Sequence, residues 1–284
     1  MGETRLRFHD APGYVQSLPL AALPGIGHAF STRQGGVSRP PFHTLNLGTA
    51  VPDDRGAIRE NRRRFFGALG LDPSRIVRVW QVHGDEVLVV DGALARRADF
   101  PRLLLDEHYR YRLLLDEHYR YDAMVTDREG LALVITTADC LPIFLADPVR
   151  RAVAAVHAGW RSTLKGIAAK GLAALVKTYG SRPADCVAAI GPGILGCCFE
   201  VDEPVMGPLR AAVPDWEACV RPSRPGHWLL DLAALNARFL IEGGLPPGAI
   251  HQTGLCTACR TDPFYSYRAE KPVTGRMMSA VWLC

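Results

Sequence analysis

The sequence contains no apolar run of about 18 residues, the length that a helix needs to cross a bilayer. Residues 1–6 lack the apolar segment of a secretory signal. No charge of one sign dominates, because 33 lysines and arginines stand against 29 aspartates and glutamates and are spread along the chain. We therefore expect a cytoplasmic protein that binds neither membranes nor nucleic acid. The mildly basic net charge of +4 would suit an anionic substrate such as phosphate.

A second C-x-x-C motif is also missing. Cys256 and Cys259 form one such motif, and a zinc ribbon requires two. Cys197 and Cys198 are adjacent and have no clear partner in the sequence. Because the cytoplasm keeps thiols reduced, we expect the eight cysteines to be thiols, and we interpret both pairs as structural residues or neighbours of a substrate.

The remaining pattern alternates between short apolar runs and helical periodicity without an obvious linker. It predicts strands at residues 29–32, 76–82, 86–90, 131–136, 141–146, 152–156, 187–190 and 279–283. It predicts helices at residues 58–69, 164–179 and 232–241, the last with Asp231 as its N-cap. With 284 residues and 48% hydrophobic content, we expect one monomeric domain over residues 1–284, with an α/β or α+β fold and layered sheets.

Two local features are interpreted as structural. The decapeptide RLLLDEHYRY occurs twice in a row over residues 102–121, and two copies are too few for a solenoid. We predict a tandem insertion in a tolerant loop, so that His108 and His118 are not metal ligands. The three consecutive arginines at 62–64 are predicted to lie on the solvated face of a helix.

His83, Cys140 and His157 stand out because each follows or ends a predicted strand. Rigid strand ends commonly present functional groups. Two imidazoles and a thiolate suit a catalytic zinc, which keeps three protein ligands and an open position, and they would also suit copper. An alternative is that His157 activates Cys140 as the nucleophile of a hydrolase. Asp139 could move protons beside Cys140 or simply cap the adjacent turn.

A second candidate site is the segment STRQGGVS at residues 31–38. The backbone N–H groups of Gly35 and Gly36 could approach a phosphate, and Arg33 could add a bidentate contact. The alternative is a Gly-Gly turn beside a surface arginine.

Several segments together resemble the laccase-domain family, which is also called multicopper polyphenol oxidase-like. The matching segments are STRQGGVS (31–38), TLNLG (44–48), QVHGDEV (81–87), DAMVTDREGLALVITTADCLPIFLADP (122–148), VAAVHAGWRSTLKGI (153–167), AAIGPGILGCCFEV (188–201) and CTACRTDPFYSYRAEKPVTGRMMSAVWL (256–283). The family is associated with purine nucleoside phosphorylase activity and, in bacteria, with peptidoglycan editing. The resemblance implies a layered α/β/β/α sandwich, similar to the catalytic domain of a cytotoxic necrotizing toxin.

The resemblance also implies a chemistry for these residues. The family's zinc ligands fall on His83, Cys140 and His157 of this sequence. The implied reactions are the phosphorolysis of adenosine, inosine, guanosine and methylthioadenosine and the deamination of adenosine. Beside the metal we expect Asp139 as a proton carrier, and we expect contacts to substrate or phosphate from a further set of residues, namely Arg33, Gly35, Gly36, Asn46, Arg161 and Arg268. The alternative is a Cys–His hydrolase or an enzyme that edits a peptidoglycan precursor.

Overall fold

The computed structural model describes residues 5–92, 94 and 119–284. The strands are β1 (Leu6–Asp10), β2 (Gly13–Ser17), β3 (Ile26–Ser31), β4 (Ile76–Val77), β5 (Val87–Val89), β6 (Ala123–Thr126), β7 (Ala132–Thr137), β8 (Leu141–Asp147), β9 (Ala152–Ala158), β10 (Val187–Ile190), β11 (Glu200–Val201), β12 (Val220–Pro222), β13 (Trp228–Leu230), β14 (Ile250–Gln252) and β15 (Met277–Leu283). The helices are α1 (Leu18–Ala21), α2 (Arg55–Ala68), α3 (Trp160–Leu164), α4 (Ile167–Tyr179), α5 (Glu203–Ala212), α6 (Leu232–Glu242) and α7 (Tyr267–Glu270).

In the described part of the chain, two six-stranded mixed sheets form the centre of the fold. The first has the order β1-β2-β3-β15-β7-β4 and the second the order β14-β10-β8-β9-β6-β5. Neighbouring strands are antiparallel except for the pairs β4–β7, β10–β14 and β5–β6. A small antiparallel sheet, β11-β13-β12, stands apart from both.

Hydrophobic clusters define the layers. Phe30 and Val281 of the first sheet share a buried cluster with Phe144 and Ala155 of the second, so the two sheets pack face to face. The outer face of the second sheet packs against α4 and α6, and the outer face of the first packs against α2. The fold is therefore a mixed α/β fold whose order of layers is helix, sheet, sheet, helix.

The sequence predicts most of these elements to within a few residues. The strand at 187–190 has the same bounds as β10, and Asp231 caps α6 by accepting a hydrogen bond from the Ala234 N–H. The predicted helix at 164–179 is divided, because Gly166 adopts a left-handed φ of 73° between α3 and α4. The predicted strand at 76–82 contains only the two residues of β4.

The prediction that residues 62–64 lie on a solvated helix face is wrong for Arg62. Its side chain is buried on the same stripe of α2 as Ile58 and Phe65, and Nε donates to the Leu47 carbonyl. Residues 102–118 of the repeated decapeptide lie outside the described residues. Within the described part of the chain, no helix is long and apolar enough to span a membrane.

Candidate active site

The hairpin of β8 and β9 brings Cys140 and His157 together. Pro142 lies opposite His157 in the antiparallel register, and Leu141 lies opposite Ala158. Cys140 immediately precedes β8, so its sulfur lies beside the end of β9. The proximity expected from the sequence is therefore a consequence of strand register.

Asp122 connects this hairpin to His83. It lies just before β6, where its side chain is fully buried. Oδ1 lies 2.7 Å from Nδ1 of His157 and also accepts the His83 backbone N–H at 3.0 Å. Oδ2 accepts the backbone N–H groups of Val82 and Gly84 at 3.1 and 2.6 Å. One carboxylate thus orients an imidazole and shapes the turn that carries the other.

His83 completes a cluster of three side chains of the types that bind metals. It has a positive φ of 56°, and its ring centroid lies 4.8 Å from that of His157. The ligand atoms of His83, Cys140 and His157 all lie within 4.8 Å of one another. The described part of the chain offers the buried Nδ1 of His83 no hydrogen-bond partner. A bound cation would satisfy this nitrogen, so the residues fit a metal.

Gly159 leaves room for this cluster. A Cβ atom at position 159 would lie 2.6 Å from Nδ1 of His83 and 3.1 Å from Sγ of Cys140. Both distances are shorter than ordinary contacts between nonbonded heavy atoms. The absence of a side chain at this position is therefore required by the positions of His83 and Cys140.

The pKa values of the cluster reflect burial and mutual charge. Burial and the nearby His157 lower the pKa of His83. Burial opposes protonation of His157, but Cys140 and Asp122 outweigh it and raise its pKa to about 9 when no cation is bound. Burial also opposes ionisation of Asp122, but the hydrogen bonds from His157 and from the backbone hold its pKa below the ordinary value. Asp122 is therefore ionised near neutral pH.

The three side chains open into a cavity of about 580 Å³, within the range of small-molecule sites. Four aromatic side chains line its walls, namely Trp80, Trp160, Phe199 and Tyr267. Three arginines also line it, namely Arg78, Arg268 and Arg276. The cavity combines flat apolar surfaces with positive charge beside the metal-binding cluster.

Arg78 is the most available of these cations. Its side chain is half-buried, and burial lowers its pKa. Among the described residues its guanidinium has no hydrogen bond or ion pair. Arg276 is similarly half-buried, and its Nη1 donates to the carbonyls of Thr274 and Gly275. An arginine without a partner in a cavity is suited to an anionic ligand.

Asp139 and Arg268, both expected at the site, line the cavity and contact each other. Oδ2 of Asp139 accepts the Arg268 backbone N–H, and Oδ1 accepts the Thr257 hydroxyl, both at 2.6 Å. Nη1 of Arg268 donates to the carbonyls of Cys198 and Glu200. Asp139, which has a positive φ of 90°, therefore ties the Cys140 turn to the segment around Arg268.

The structure does not bring Arg33 to the cavity wall. Its guanidinium is buried, pairs with Glu270 at 2.8 Å and lies 4.3 Å from the Tyr265 ring centroid. It also donates to the His43 and Thr261 carbonyls. These contacts favour a structural role for Arg33, and its expected contact with phosphate stays a prediction.

Gly35, Gly36 and Asn46 also lie outside the cavity lining. The Gly36 N–H is already donated to the Thr44 hydroxyl, and Gly35 adopts a positive φ of 86° in a tight turn. Asn46 is fully buried, and its Oδ1 accepts the backbone N–H of Arg276. Asn46 therefore positions the backbone of Arg276, which lines the cavity, without lining the cavity itself.

Arg161 is exposed, and its guanidinium stacks on the ring of Trp160, which lines the cavity.

Sequence reasoning did not identify Asp122, Arg78 or Arg276 as site residues. For Asp122 a signal existed, since metal-binding histidines commonly donate their second nitrogen to a carboxylate. The two arginines carry no local signal, because only the tertiary fold brings them together.

The chain is therefore a layered α/β protein with a candidate metal site in a cavity. The chain belongs to the family described as multi-copper polyphenol oxidoreductase laccase, whose model matches residues 27–284. It is 37% identical to a purine nucleoside phosphorylase, ORF3, of Streptomyces griseus, over 93% of this chain and 97% of that protein. It is 33% identical to the purine nucleoside phosphorylase YlmD of Bacillus subtilis, over 89% of this chain and 86% of that one.

Solved structures agree with the fold. The protein YfiH of Bacillus licheniformis superposes with a TM-score of 0.85 at 33% identity, covering 98% of this chain and 99% of that one. YlmD of Geobacillus stearothermophilus superposes with the same TM-score at 31% identity, covering 99% of both chains.

Proposed function

We propose that this chain is a zinc-dependent purine nucleoside phosphorylase. The observation that carries the proposal is that the cluster of His83, Cys140 and His157 faces the same cavity as Arg78, Arg268 and Arg276. Relatives whose names are purine nucleoside phosphorylase match nearly the whole chain, which supports the same reaction. Two imidazoles and one thiolate suit zinc, which commonly keeps an open position at a three-ligand site.

The arginines and the aromatic rings of the cavity would bind different parts of the substrates. Arg78 and Arg276 would hold phosphate, since guanidinium groups bind its oxygens through paired N–H donors. The aromatic side chains that line the cavity would contact the flat purine. The substrates are thus a purine nucleoside and inorganic phosphate.

In the reaction a phosphate oxygen attacks C1′ of the ribose, and the bond from C1′ to the purine nitrogen breaks. The purine leaves with the bonding electrons and takes up one proton, and the other product is ribose 1-phosphate. Zinc, when bound, supplies a Lewis acid that can acidify a nearby proton donor. The arginines would hold the phosphate beside the ribose and offset its negative charge. This lowers the free-energy cost of bringing the two substrates together.

A product assay tests the proposal. The purified chain is incubated with inosine or adenosine, with and without phosphate, and free base and ribose 1-phosphate are quantified. Cys140→Ser removes a proposed metal ligand, and Arg182→Gln, at an exposed arginine that does not line the cavity, is the control. We expect phosphate-dependent release of base by the wild type and Arg182→Gln but not by Cys140→Ser. Absence of turnover by folded, zinc-loaded protein would refute the proposal.

Adenosine deamination is a second candidate. Zinc sites of this kind can direct water to C6 of adenine, with a carboxylate that moves the protons. Among the described residues lining the cavity, Asp139 is the carboxylate, and both its oxygens already accept hydrogen bonds. We therefore expect any deamination to be slower than phosphorolysis. Ammonia release from adenosine without phosphate measures it separately.

The hydrolase alternative, including editing of a peptidoglycan precursor, uses Cys140 as a nucleophile without a metal. The unpartnered Nδ1 of His83 favours the metal instead, because a Cys–His nucleophile pair gives this nitrogen no role. Metal analysis and chelator sensitivity separate the two. Full activity in metal-free protein, with alkylation of Cys140 abolishing it, would favour the hydrolase.

A further inference from the structure

A second cluster of cysteines lies outside the site described above. Cys197 and Cys198 lie in the turn before β11, and Cys256 and Cys259 lie in the turn that follows β14. An isolated bridge between Gly193 and Cys256 joins the two segments. The segments are distant in sequence, so only the fold brings these four side chains together.

The four sulfur atoms are arranged as a compact group. All lie within 4.8 Å of one another. Sγ of Cys259 is 3.4 Å from that of Cys197 and 3.1 Å from that of Cys198. These separations are well beyond the ~2.05 Å of a disulfide bond. Four thiolates around one zinc, each at ~2.3 Å, would be separated by ~3.8 Å, so sulfur atoms this close need only small shifts to surround one ion.

We propose that Cys197, Cys198, Cys256 and Cys259 bind a structural zinc ion, separate from the site at His83, Cys140 and His157. Four thiolates complete a tetrahedral shell and leave no position open for substrate, which is the pattern of a structural site. The proposal does not depend on the phosphorylase activity. Cys197 and Cys259 are exposed, so an ion can enter from solvent.

The surroundings of the cluster resemble those of a structural metal site. The backbone N–H of Leu195 points to Sγ of Cys256 at 3.5 Å. Such N–H groups stabilise thiolate charge around a metal. The Arg268 guanidinium donates to the Cys198 carbonyl, and that of Arg221 donates to the Gly196 carbonyl, which places two cations at the turn that carries Cys197 and Cys198.

The second ion would stabilise one wall of the cavity. Thr257, next to Cys256, donates to Asp139, and Phe199, next to Cys198, lines the cavity. A metal that ties the two turns together would therefore hold Asp139 and Phe199 in place without contacting substrate. Its loss should reduce the stability of these turns more than it changes the reaction itself.

Metal stoichiometry tests the proposal directly. Chains purified under reducing conditions with excess zinc, then freed of loose metal by gel filtration, are analysed for zinc per chain. We expect two zinc ions in the wild type, one in Cys140→Ser and one in Cys259→Ser. Cys284→Ser, at an exposed cysteine outside the cluster, should retain two.

A measurement on the wild type covers the case in which Cys259→Ser does not fold. Cobalt replaces zinc, and the charge-transfer absorption from sulfur to cobalt reports the number of thiolate ligands. Five thiolates over two sites are expected, four of them at one site. One metal ion per chain and a spectrum of a single thiolate would overturn the proposal. So would an unreduced chain in which mass analysis finds these cysteines joined in disulfides.

Discussion

Asp122 accepts a hydrogen bond of 2.7 Å from Nδ1 of His157. A carboxylate only accepts, so Nδ1 carries the proton and Nε2 of His157 is left free to face Cys140 and His83. The same carboxylate accepts three backbone N–H groups from the turn that carries His83. The two histidines of the candidate metal site are thus set by one residue that does not itself belong to the metal-binding cluster.

Replacing this carboxylate should weaken metal binding. In Asp122→Asn one oxygen becomes an NH₂ group that cannot accept these hydrogen bonds, so the orientation of His157 is lost. We expect zinc affinity to fall about 10- to 100-fold, measured by competition with a chromophoric chelator. Asp147→Asn is the matched control, because Asp147 is also fully buried but accepts N–H groups of a turn remote from the cluster. Equal zinc affinity in Asp122→Asn and the wild type would contradict this assignment.

Arg78 should matter for phosphate more than for nucleoside. A guanidinium bonded to a charged ligand contributes about 1.5–3 kcal/mol, so Arg78→Gln should raise KM for phosphate about 10- to 100-fold. KM for inosine should change little, since in the proposed arrangement the purine would contact the aromatic walls instead of Arg78. Steady-state kinetics with each substrate varied separately measures both constants, with Arg182→Gln as the control. A rise in KM for inosine alone would place Arg78 at the nucleoside instead.

Arg33→Gln should reduce stability without affecting phosphate binding. The substitution leaves the Glu270 carboxylate without its cation, and removal of one partner of a buried pair costs several kcal/mol. Because the Glu270 side chain is 24% exposed, we expect about 3 kcal/mol, measured by urea unfolding. The double variant with Glu270→Gln should be more stable than Arg33→Gln alone. Unchanged stability together with a raised KM for phosphate would restore the sequence-based assignment of Arg33.

Part of the candidate site could be predicted from the sequence. His83, Cys140 and His157 are recognisable because each lies at the end of an apolar run, and the hairpin register then brings two of them together. The burial of Arg62 could also have been predicted from helical spacing, since Arg62 lies four residues after Ile58 and three before Phe65 on the buried stripe of α2.

Arg78 and Arg276 could not be assigned from sequence in the same way. They come from opposite parts of the chain and converge only because β4 and β15 both pair with β7. Conversely, the glycines beside Arg33 resemble a phosphate loop, but the Gly36 N–H already bonds to Thr44. The composition of a loop does not reveal whether its donors are already in use.

Gly159→Ala should displace the metal without removing a ligand. Its new Cβ would meet Nδ1 of His83 and Sγ of Cys140 at distances shorter than contact. We expect loss of about one zinc per chain and of activity in a chain that remains folded. Gly67→Ala is the control, because a Cβ there meets nothing within 4 Å on α2 and should stabilise the helix by about 0.5–1 kcal/mol. Normal zinc content in Gly159→Ala would show that the two ligand side chains lie elsewhere.

The buried His28 should make stability depend on pH. Its Nε2 accepts the Ser17 N–H at 2.9 Å, and burial lowers its pKa from 6.5 to about 4. Between these values the unfolded chain binds a proton that the folded chain does not. The free energy of unfolding therefore decreases as the pH falls from 6.5 to about 4, by about 3 kcal/mol in total, and this contribution is constant below that range.

Urea unfolding at several pH values, compared between the wild type and His28→Gln, measures this contribution. Glutamine does not titrate, so the difference in stability between the two proteins should itself change over this pH range. His43→Gln, at an exposed histidine, should follow the wild type. A difference between wild type and His28→Gln that stays constant with pH would show that His28 is not protonated on unfolding.

We expect phosphate, not water, to cleave the nucleoside in the cavity beside His83, Cys140 and His157. Inosine and isotopically labelled phosphate are incubated with the wild-type chain, and the label in ribose 1-phosphate is counted against free hypoxanthine. We predict one labelled ribose 1-phosphate for each base released, and neither product from Cys140→Ser. Base released with unlabelled free ribose would contradict phosphorolysis, because the chain would then be a hydrolase.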